Sequence, residues 1–426
     1  MNNSEEYSSS KFQRTVISVE EAGARLAAYA VLLEQEVVPL NQSCGRMLAE
    51  PVHTPHPFPA FDRSAMDGFA VLAADTAAAT EDNKVWLEIA DFIPCGAVAS
   101  RDVTSGTAAR IMTGAQIPGS ADTVIMMEAT ESRVVNGITY VGICKPQEAG
   151  LHITPCGLEM QTGELVLQAG KIIGAGDIAV LAALGVSAVP VRRRPKVAVF
   201  ATGTELLDVS VPLEPGKIRN SNSPMLEALI KEAGGEPVML GTIADNLELA
   251  RHKVQMALEA YDLVITTGGV SVGDYDIMGD LVREQSGEML FNKIAMRPGS
   301  VTTAAVRGGT LLLALSGNPG ACFTGFQLLA RPVIGMMQGA AQPKLPEWNA
   351  RLGADYKRSN SYTRFVRARL ELREGMLYAH PAAVDESSVM VTIKDSDCLI
   401  VIPPNSGLIS AGELVTIIKL PGEIRG

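Results

Sequence analysis

The amino-acid sequence predicts a multidomain α/β plus β protein, with a central parallel-sheet α/β domain, a β-rich domain, a helical linking domain and a C-terminal β-barrel-like domain. Three observations predict it. The chain has 426 residues, whereas single hydrophobic cores stop growing at roughly 250 to 300 residues. From Pro195 to Gly339 strand-like and helix-like runs alternate, the pattern of parallel strands joined by helical crossovers. Before and after that segment, short β-like runs are punctuated by Gly and Pro turns.

Taken in order, the first element is a helix between residues 18 and 34, where Val19, Ala22, Leu26, Ala30 and Leu33 recur at helical spacing behind a Ser18-x-x-Glu21 capping box. Pro51, Pro55, Pro57 and Pro59 then force extended or turn conformations, and a small β-rich unit runs from Phe69 to about Val166. The apolar stretch 172–191 holds Asp177 and Pro190, so it reads as a helix stopped at Gly185 and followed by a strand, not as a membrane span. Candidate strands of the α/β segment are 197–201, 237–243, 263–267, 290–295 and 310–315. Between the first two, Ser223 is the expected cap of a helix with Pro224 at its first position, Leu226, Leu229, Ile230 and Ala233 on its apolar face and Gly234 at its end. The second crossover, 247–260, opens at Asp245 or Asn246. After about Pro343 strands and turns return, predicting a final all-β domain. The expected boundaries are 12–50 with 165–192 for the linking domain, 51–164 for the β-rich domain, 193–340 for the α/β domain and 341–426 for the last.

Composition narrows the function. With 47% hydrophobic and 19% charged residues the chain can bury cores, and 36 basic against 47 acidic residues leave a net charge of −11. No basic run exceeds Arg192-Arg193-Arg194, so nucleic acid is not an expected partner. Six scattered cysteines, with no C-x-x-C and no His at metal-ligand spacing, indicate neither a zinc site nor a disulfide framework. Without a signal-peptide pattern, the expected setting is the cytoplasm, with no membrane attachment.

In an open parallel sheet, ligands bind beyond the carboxyl ends of the strands. Five loops are expected there: Thr202-Gly203-Thr204-Glu205, Ala244-Asp245, the run from Thr267 to Asp276, Met296-Arg297-Pro298-Gly299, and Ser316-Gly317-Asn318-Pro319-Gly320. Each carries glycine or a carboxylate. Glycine lets backbone N–H groups approach an anion, and following helix N-termini add a favourable dipole. Glu205, Asp245 and Asp276 bring three carboxylates to one edge, a donor set for Mg²⁺. Lys293 and Arg297 add positive charge for an anionic substrate. One such loop is more often an ordinary turn; five on one edge reverse the odds. Neither a Walker motif nor a strand-following G-x-G-x-x-G is present, so an ordinary nucleotide-dependent transferase is the weaker reading.

Longer strings carry a resemblance. The run Phe61-Asp62-Arg63-Ser64-Ala65-Met66-Asp67-Gly68-Phe69-Ala70-Val71 closely resembles the F-D-[NR]-S-A-M-D-G-[YF]-A-V signature of molybdopterin molybdenumtransferases. The runs from Arg110 to Ala115, Thr202 to Leu206, Thr267 to Asp276 and Ser316 to Pro319 are similar to the same family in the same order, spanning residues 16 to 420. The resemblance implies a molybdopterin-binding type of α/β domain and insertion of molybdenum into the pterin, taking adenylyl-molybdopterin and molybdate to molybdenum-molybdopterin and AMP with Mg²⁺. It also implies an elongated homodimer whose cleft lies between the α/β domain of one subunit and the β-rich domain of the other. Asp67, Glu205 and Thr113 are then the expected catalytic residues, with Glu205, Asp245 and Asp276 on the metal. Ser64, Gly268, Gly269, Ser271, Gly273, Lys293, Arg297, Ser316, Gly317, Asn318, Pro319 and Ser387 are the expected substrate contacts. Pterin-adenylating and molybdoenzyme-maturation proteins are the expected further partners.

The chain also departs from the family pattern. Thr154 stands where an Arg is expected, Glu159 where Asp is usual, Asn220 where Asp precedes Ser221-Asn222, and Ser300 where a Lys follows Arg297-Pro298-Gly299. Lost positive charge leaves open a tungstate-preferring insertase or a non-catalytic pterin-binding scaffold paralogue, although all four of Asp67, Glu205, Asp245 and Asp276 are retained.

Overall fold

The computed structural model describes residues 15–243, 247–268, 287–358 and 361–424. The chain forms two units, one from Pro51–Gln168 with Ala179–Val186, the other from the chain up to Glu50, Ala169–Ile178 and Ser187 onward.

In the larger unit the central sheet has the order Glu236–Ile243, Lys196–Thr202, Leu263–Thr267, Thr310–Leu315, Thr303–Arg307, Gly287–Phe291. The first four strands are parallel. Side chains alternate across it: Val197, Val199, Ile265 and Leu313 enter one core with helix Asn222–Glu232, while Ala198, Phe200, Val264 and Leu312 pack against helix Leu247–Ala260 on the other face. Both faces are thus covered, and the strand order reverses at Lys196–Thr202, whose next strand of this sheet in sequence, Glu236–Ile243, lies on one side of it and the following one, Leu263–Thr267, on the other. The boundary between Lys196–Thr202 and Leu263–Thr267 is a topological switch point, where the loops beyond the carboxyl ends diverge and leave a crevice.

Two expectations need correction here. The sheet is mixed: an unforeseen strand, Thr303–Arg307, runs antiparallel to both Thr310–Leu315 and Gly287–Phe291. Its alanines give little β signal, but Gly308-Gly309, both at positive φ, close a hairpin to Thr310. The expected 290–295 strand ends at Phe291, and Ile294 instead bridges Ile17. Because two reversals restore direction, the segment carrying Lys293 still leaves from the edge where the parallel strands end.

Helix boundaries also moved. Ser18 does cap helix Val19–Ala27, its hydroxyl accepting from the Glu21 N–H at 3.0 Å. The helix stops seven residues short of 34. Leu33 is nevertheless buried in the same core because its N–H bonds the Met337 carbonyl at 2.9 Å, so tertiary pairing overrides the helical period. The helix expected to start at Ser223 begins at Asn222, and Asn220 Oδ1 accepts from the Ser223 N–H at 3.1 Å, so Asn220 supplies the capping interaction. Gly234 follows the helix at φ 86° as expected.

The C-terminal segment is the all-β domain foreseen. Strands Thr363–Arg373, Met376–Pro381, Glu347–Leu352, Leu414–Lys419 and Cys398–Ile402 pair in that order, and the last returns to the first, closing a five-stranded barrel. The short strand Met296–Arg297 joins it alongside Thr363 and Arg364. Elsewhere in this unit, Gln35–Pro39 pairs antiparallel with Ala188–Arg192.

In the smaller unit, a six-stranded sheet has the order Thr123–Met126, Gly68–Val71, Thr107–Ile111, Val85–Ile93, Ile138–Ile143, Thr130–Val135. Gly68 lies between two partner strands, and a Cβ there would collide with the Ile125 carbonyl. The glycine of Met66-Asp67-Gly68 is therefore required by backbone approach across the sheet, and the acidic residue before it is delivered to the strand's beginning.

Candidate functional site

In the larger unit, three loops meet at the switch point. Asn222, in the first turn of its helix and 8% exposed, donates from Nδ2 to Thr267 Oγ1 and to the Gly317 carbonyl, both at 2.8 Å. Thr267 Oγ1 donates onward to the Ser316 carbonyl at 3.2 Å, and Thr202 Oγ1 to the Thr267 carbonyl at 3.4 Å. Gly268, at φ 88°, sits where any Cβ would strike the Thr202 carbonyl, and Gly317 abuts it. One carboxamide thus pins the ends of the neighbouring strands Leu263–Thr267 and Thr310–Leu315 to the start of helix Asn222–Glu232. Asn222 appeared in the sequence only as part of Asn220-Ser221-Asn222; the expected helix begins after Ser223, so nothing local marks Asn222 as a first-turn residue. Beneath it, burial pushes the Cys322 thiol up to about 12, so Cys322 is a packing residue.

Glu205 lies in the loop after Lys196–Thr202, exposed, with its carboxylate turned back over Gly203 and no side-chain hydrogen bond or ion pair among the described residues. Asp245, Asp276, Gly269, Ser271 and Gly273 lie outside the described residues. Among the described residues no group of three His, Cys, Asp or Glu side chains is placed to hold a metal. Glu205 fits Mg²⁺ in kind, being a hard oxygen donor not neutralised by a cation.

Lys293 is half-buried and held by its backbone, its carbonyl accepting from the Ile17 N–H at 3.2 Å. Arg297 is exposed, its guanidinium 5.7 Å from the centre of the Tyr362 ring. Ser300, standing where Lys is usual, is 7% exposed. Asn318 donates from Nδ2 to Ser387 Oγ at 3.1 Å, and the Gly320 N–H, following Pro319, donates to the Ser387 carbonyl at 2.9 Å. The structure therefore brings Ser387 of the barrel segment to the Ser316–Pro319 loop, as the grouping of these residues required.

In the smaller unit, Asp67 Oδ1 accepts two hydrogen bonds from Thr113, from the backbone N–H at 2.7 Å and from Oγ1 at 2.6 Å. These bonds, the hydroxyl's first, with the charge of Arg110 behind them, hold the Asp67 carboxyl below the usual carboxylate range against a small opposing effect of burial. Ser64 is 1% exposed, and its hydroxyl donates to the Met66 carbonyl at 2.6 Å. Its backbone bonds Gly114 at 2.8 Å and Ala115 at 2.9 Å, so Ser64 fixes the Thr113 turn against the Asp67 turn. Thr154 faces Arg63 across a strand pair, and Arg63 bonds Glu159 at 3.2 Å. The two departures of this region thus meet at one arginine.

Comparison with known proteins identifies the family. Residues 17–185 match the MoeA N-terminal region (domain I and II), 198–335 a probable molybdopterin binding domain, and 349–420 the MoeA C-terminal region (domain IV). A molybdopterin molybdenumtransferase of Bacillus subtilis is 43% identical over 411 residues, covering 96% of each chain. One of Staphylococcus epidermidis is 40% identical over 406 residues, covering 95% of this chain and 96% of its own. A crystal structure of the molybdopterin biosynthesis moeA protein from Pyrococcus horikosii has a TM-score of 0.83 and 31% identity, over 96% of this chain and 100% of that one. The chain belongs to the molybdopterin molybdenumtransferase family.

Proposed function

We propose that this protein is a transferase of molybdenum cofactor biosynthesis that takes adenylyl-molybdopterin and molybdate to molybdenum-molybdopterin and AMP. The observation that carries this reading is the convergence of Thr202, Gly268 and Gly317 under Asn222 at the switch point, within the segment matching a probable molybdopterin binding domain. Glycine backbone brought close together at the carboxyl ends of parallel strands suits a polyanionic pterin, with the carboxylates of the same loops left for a metal.

In this reading Gly268, Gly269, Ser271 and Gly273 with Ser316 to Pro319 hold the pterin and its phosphates. Lys293 and Arg297 offset their charge, and Ser387 orients the Ser316–Pro319 loop through Asn318. Glu205, Asp245 and Asp276 would hold Mg²⁺, which when bound neutralises phosphate oxygens. Asp67 is ionised at neutral pH and held by Thr113, so it serves as a hydrogen-bond acceptor that orients water or a protonated oxyanion, and only weakly as a base. Positioning of two like-charged reactants is the main contribution asked of the chain.

The reading includes a homodimer in which Asp67 and Thr113 of one subunit serve the loops of its partner, and a cytoplasmic setting, supported by six free thiols. Sedimentation of the purified chain tests the dimer. The central experiment incubates the chain with adenylyl-molybdopterin, Mg²⁺ and molybdate or tungstate, and follows AMP and the metallated pterin by mass spectrometry. Release of AMP with insertion is expected, and its loss after chelation of Mg²⁺. Substrate binding without AMP release from either oxyanion sinks the proposal.

A further inference from the structure

We propose that Asp385 is a positioning residue for the Ser316–Pro319 loop, acting through Ser387; this rests on the insertase reading above, in which that loop helps to hold the pterin and its phosphates. The segment 382–390 joins strand Met376–Pro381 to the short 3₁₀ helix Val391–Asp395 and forms neither helix nor strand. Asp385, 8% exposed, is its one buried residue. No apolar side chain of the segment is buried, so its anchor is a carboxylate. Asp385 Oδ2 accepts from the Tyr356 hydroxyl at 3.0 Å and from Arg364 Nη2 at 3.1 Å, and Oδ1 accepts from Arg358 Nη1 at 2.8 Å. Arg364 Nε also donates to the Tyr356 oxygen at 2.9 Å, so the phenol is itself fixed. A carboxylate is taken out of water only when it is paired in this way, and the pairing fixes where its backbone can lie.

The next two residues carry that fixed point to the loop. The Glu386 carbonyl accepts from Arg367 Nη2 at 2.9 Å. Ser387 then meets the loop twice, its carbonyl accepting from the Gly320 N–H at 2.9 Å and its hydroxyl from Asn318 Nδ2 at 3.1 Å. The approach is so close that a Cβ on Gly320 would collide with the Arg367 guanidinium. The loop is thus held twice, at the Gly317 carbonyl by Asn222 and at Asn318 and Gly320 by Ser387, and the second hold depends on a buried charge. Asp385→Asn keeps the volume but exchanges an acceptor oxygen for an amide that faces guanidinium donors, setting donor against donor. The segment 385–387 should then loosen, and the Asn318 carboxamide should lose its acceptor.

Steady-state AMP release by the full chain with adenylyl-molybdopterin, molybdate and Mg²⁺ tests the assignment. Asp385→Asn should raise KM for the pterin roughly tenfold, within the range for a displaced positioning group, with kcat held within about twofold. Ser387→Ala should do the same. Because Asp385 acts through Ser387, the double variant should stay within about threefold of the worse single one, whereas independent losses would multiply. Tyr356→Phe removes one donor to the carboxylate and keeps the ring, so it should raise KM by about threefold, and it serves as the test if Asp385→Asn does not fold. Without substrate, the Asn318 side-chain amide signal in protein carrying isotope-labelled asparagine should shift in Asp385→Asn, which a loss of stability elsewhere in the barrel would not produce. A KM unchanged in the folded variants, or a double variant beyond the threefold bound, overturns the assignment. If the unsubstituted chain releases AMP and neither KM nor the Asn318 signal moves, the assignment of Asp385 alone is wrong. If the signal shifts and no form of the chain releases AMP, the insertase reading alone is wrong.

Discussion

At the scale of single residues, Asp67 is defined less by its own chemistry than by Thr113, which supplies both of its hydrogen bonds. Thr113→Ala removes the hydroxyl donor and keeps the backbone N–H, so the Asp67 carboxyl should rise toward the ordinary carboxylate value without losing its place. The sign follows from linkage. A carboxylate whose folded pKa is depressed contributes its stabilisation above the unfolded value, and loses it as pH falls through the folded one. In Thr113→Ala that stabilisation should be smaller and its loss complete at a higher pH, and the acidic limb of the pH–rate profile should move upward in the same way. A carboxyl-carbon NMR titration of Asp67 in both proteins checks it; an unchanged titration would assign the depression elsewhere. Asp67→Asn keeps the size and removes the charge, and should lower turnover by about a hundredfold or more if the carboxylate contacts the reacting groups. The strings resembling the family contained Asp67 and Thr113 as separate letters, 46 positions apart. Nothing local in either string reveals that one holds the other, because that contact is made by strand pairing between Gly68–Val71 and Thr107–Ile111.

At the scale of elements, legibility followed the strength of the local signal. Leu263–Thr267 and Thr310–Leu315, buried runs of branched and aliphatic residues, were readable to the residue. Thr303–Arg307 was not, since Ala304 and Ala305 give a strand little propensity and only its neighbours on both sides make it one. The end of Val19–Ala27 was overrun for a related reason: Ala30 and Leu33 keep the helical period in sequence but meet the core from a non-helical backbone. Asn222 escaped notice because its role spans three elements. Gly68 offers the sharpest element-scale test. Gly68→Ala must push the strand from the Ile125 carbonyl, a backbone atom that cannot rotate away. Overpacking of this kind should cost on the order of 3 kcal/mol. Urea denaturation followed by far-UV circular dichroism measures it, and a change within about 0.5 kcal/mol, the usual span of neutral surface substitutions, would show that the two strands can part freely.

At the scale of the molecule, the proposed function has a chain of net charge −11 bind a polyanion through cations placed locally, Lys293 and Arg297. The two influences have different ranges. Charge across the whole surface is felt over about 30 Å at 0.01 M salt and only about 8 Å at 0.15 M, while contacts of a few ångströms are screened much less. Raising the salt over that interval should therefore remove the long-range repulsion first. The association rate of adenylyl-molybdopterin should stay level or rise, in contrast to the steep fall shown by a basic protein on a nucleic acid. Stopped-flow binding across that range distinguishes the two. A steep decline would mean that clustered cations dominate the field at a distance, so that capture, and not only orientation, is electrostatic. Arg297→Met should then flatten the dependence, as the loss of one of the clustered cations requires.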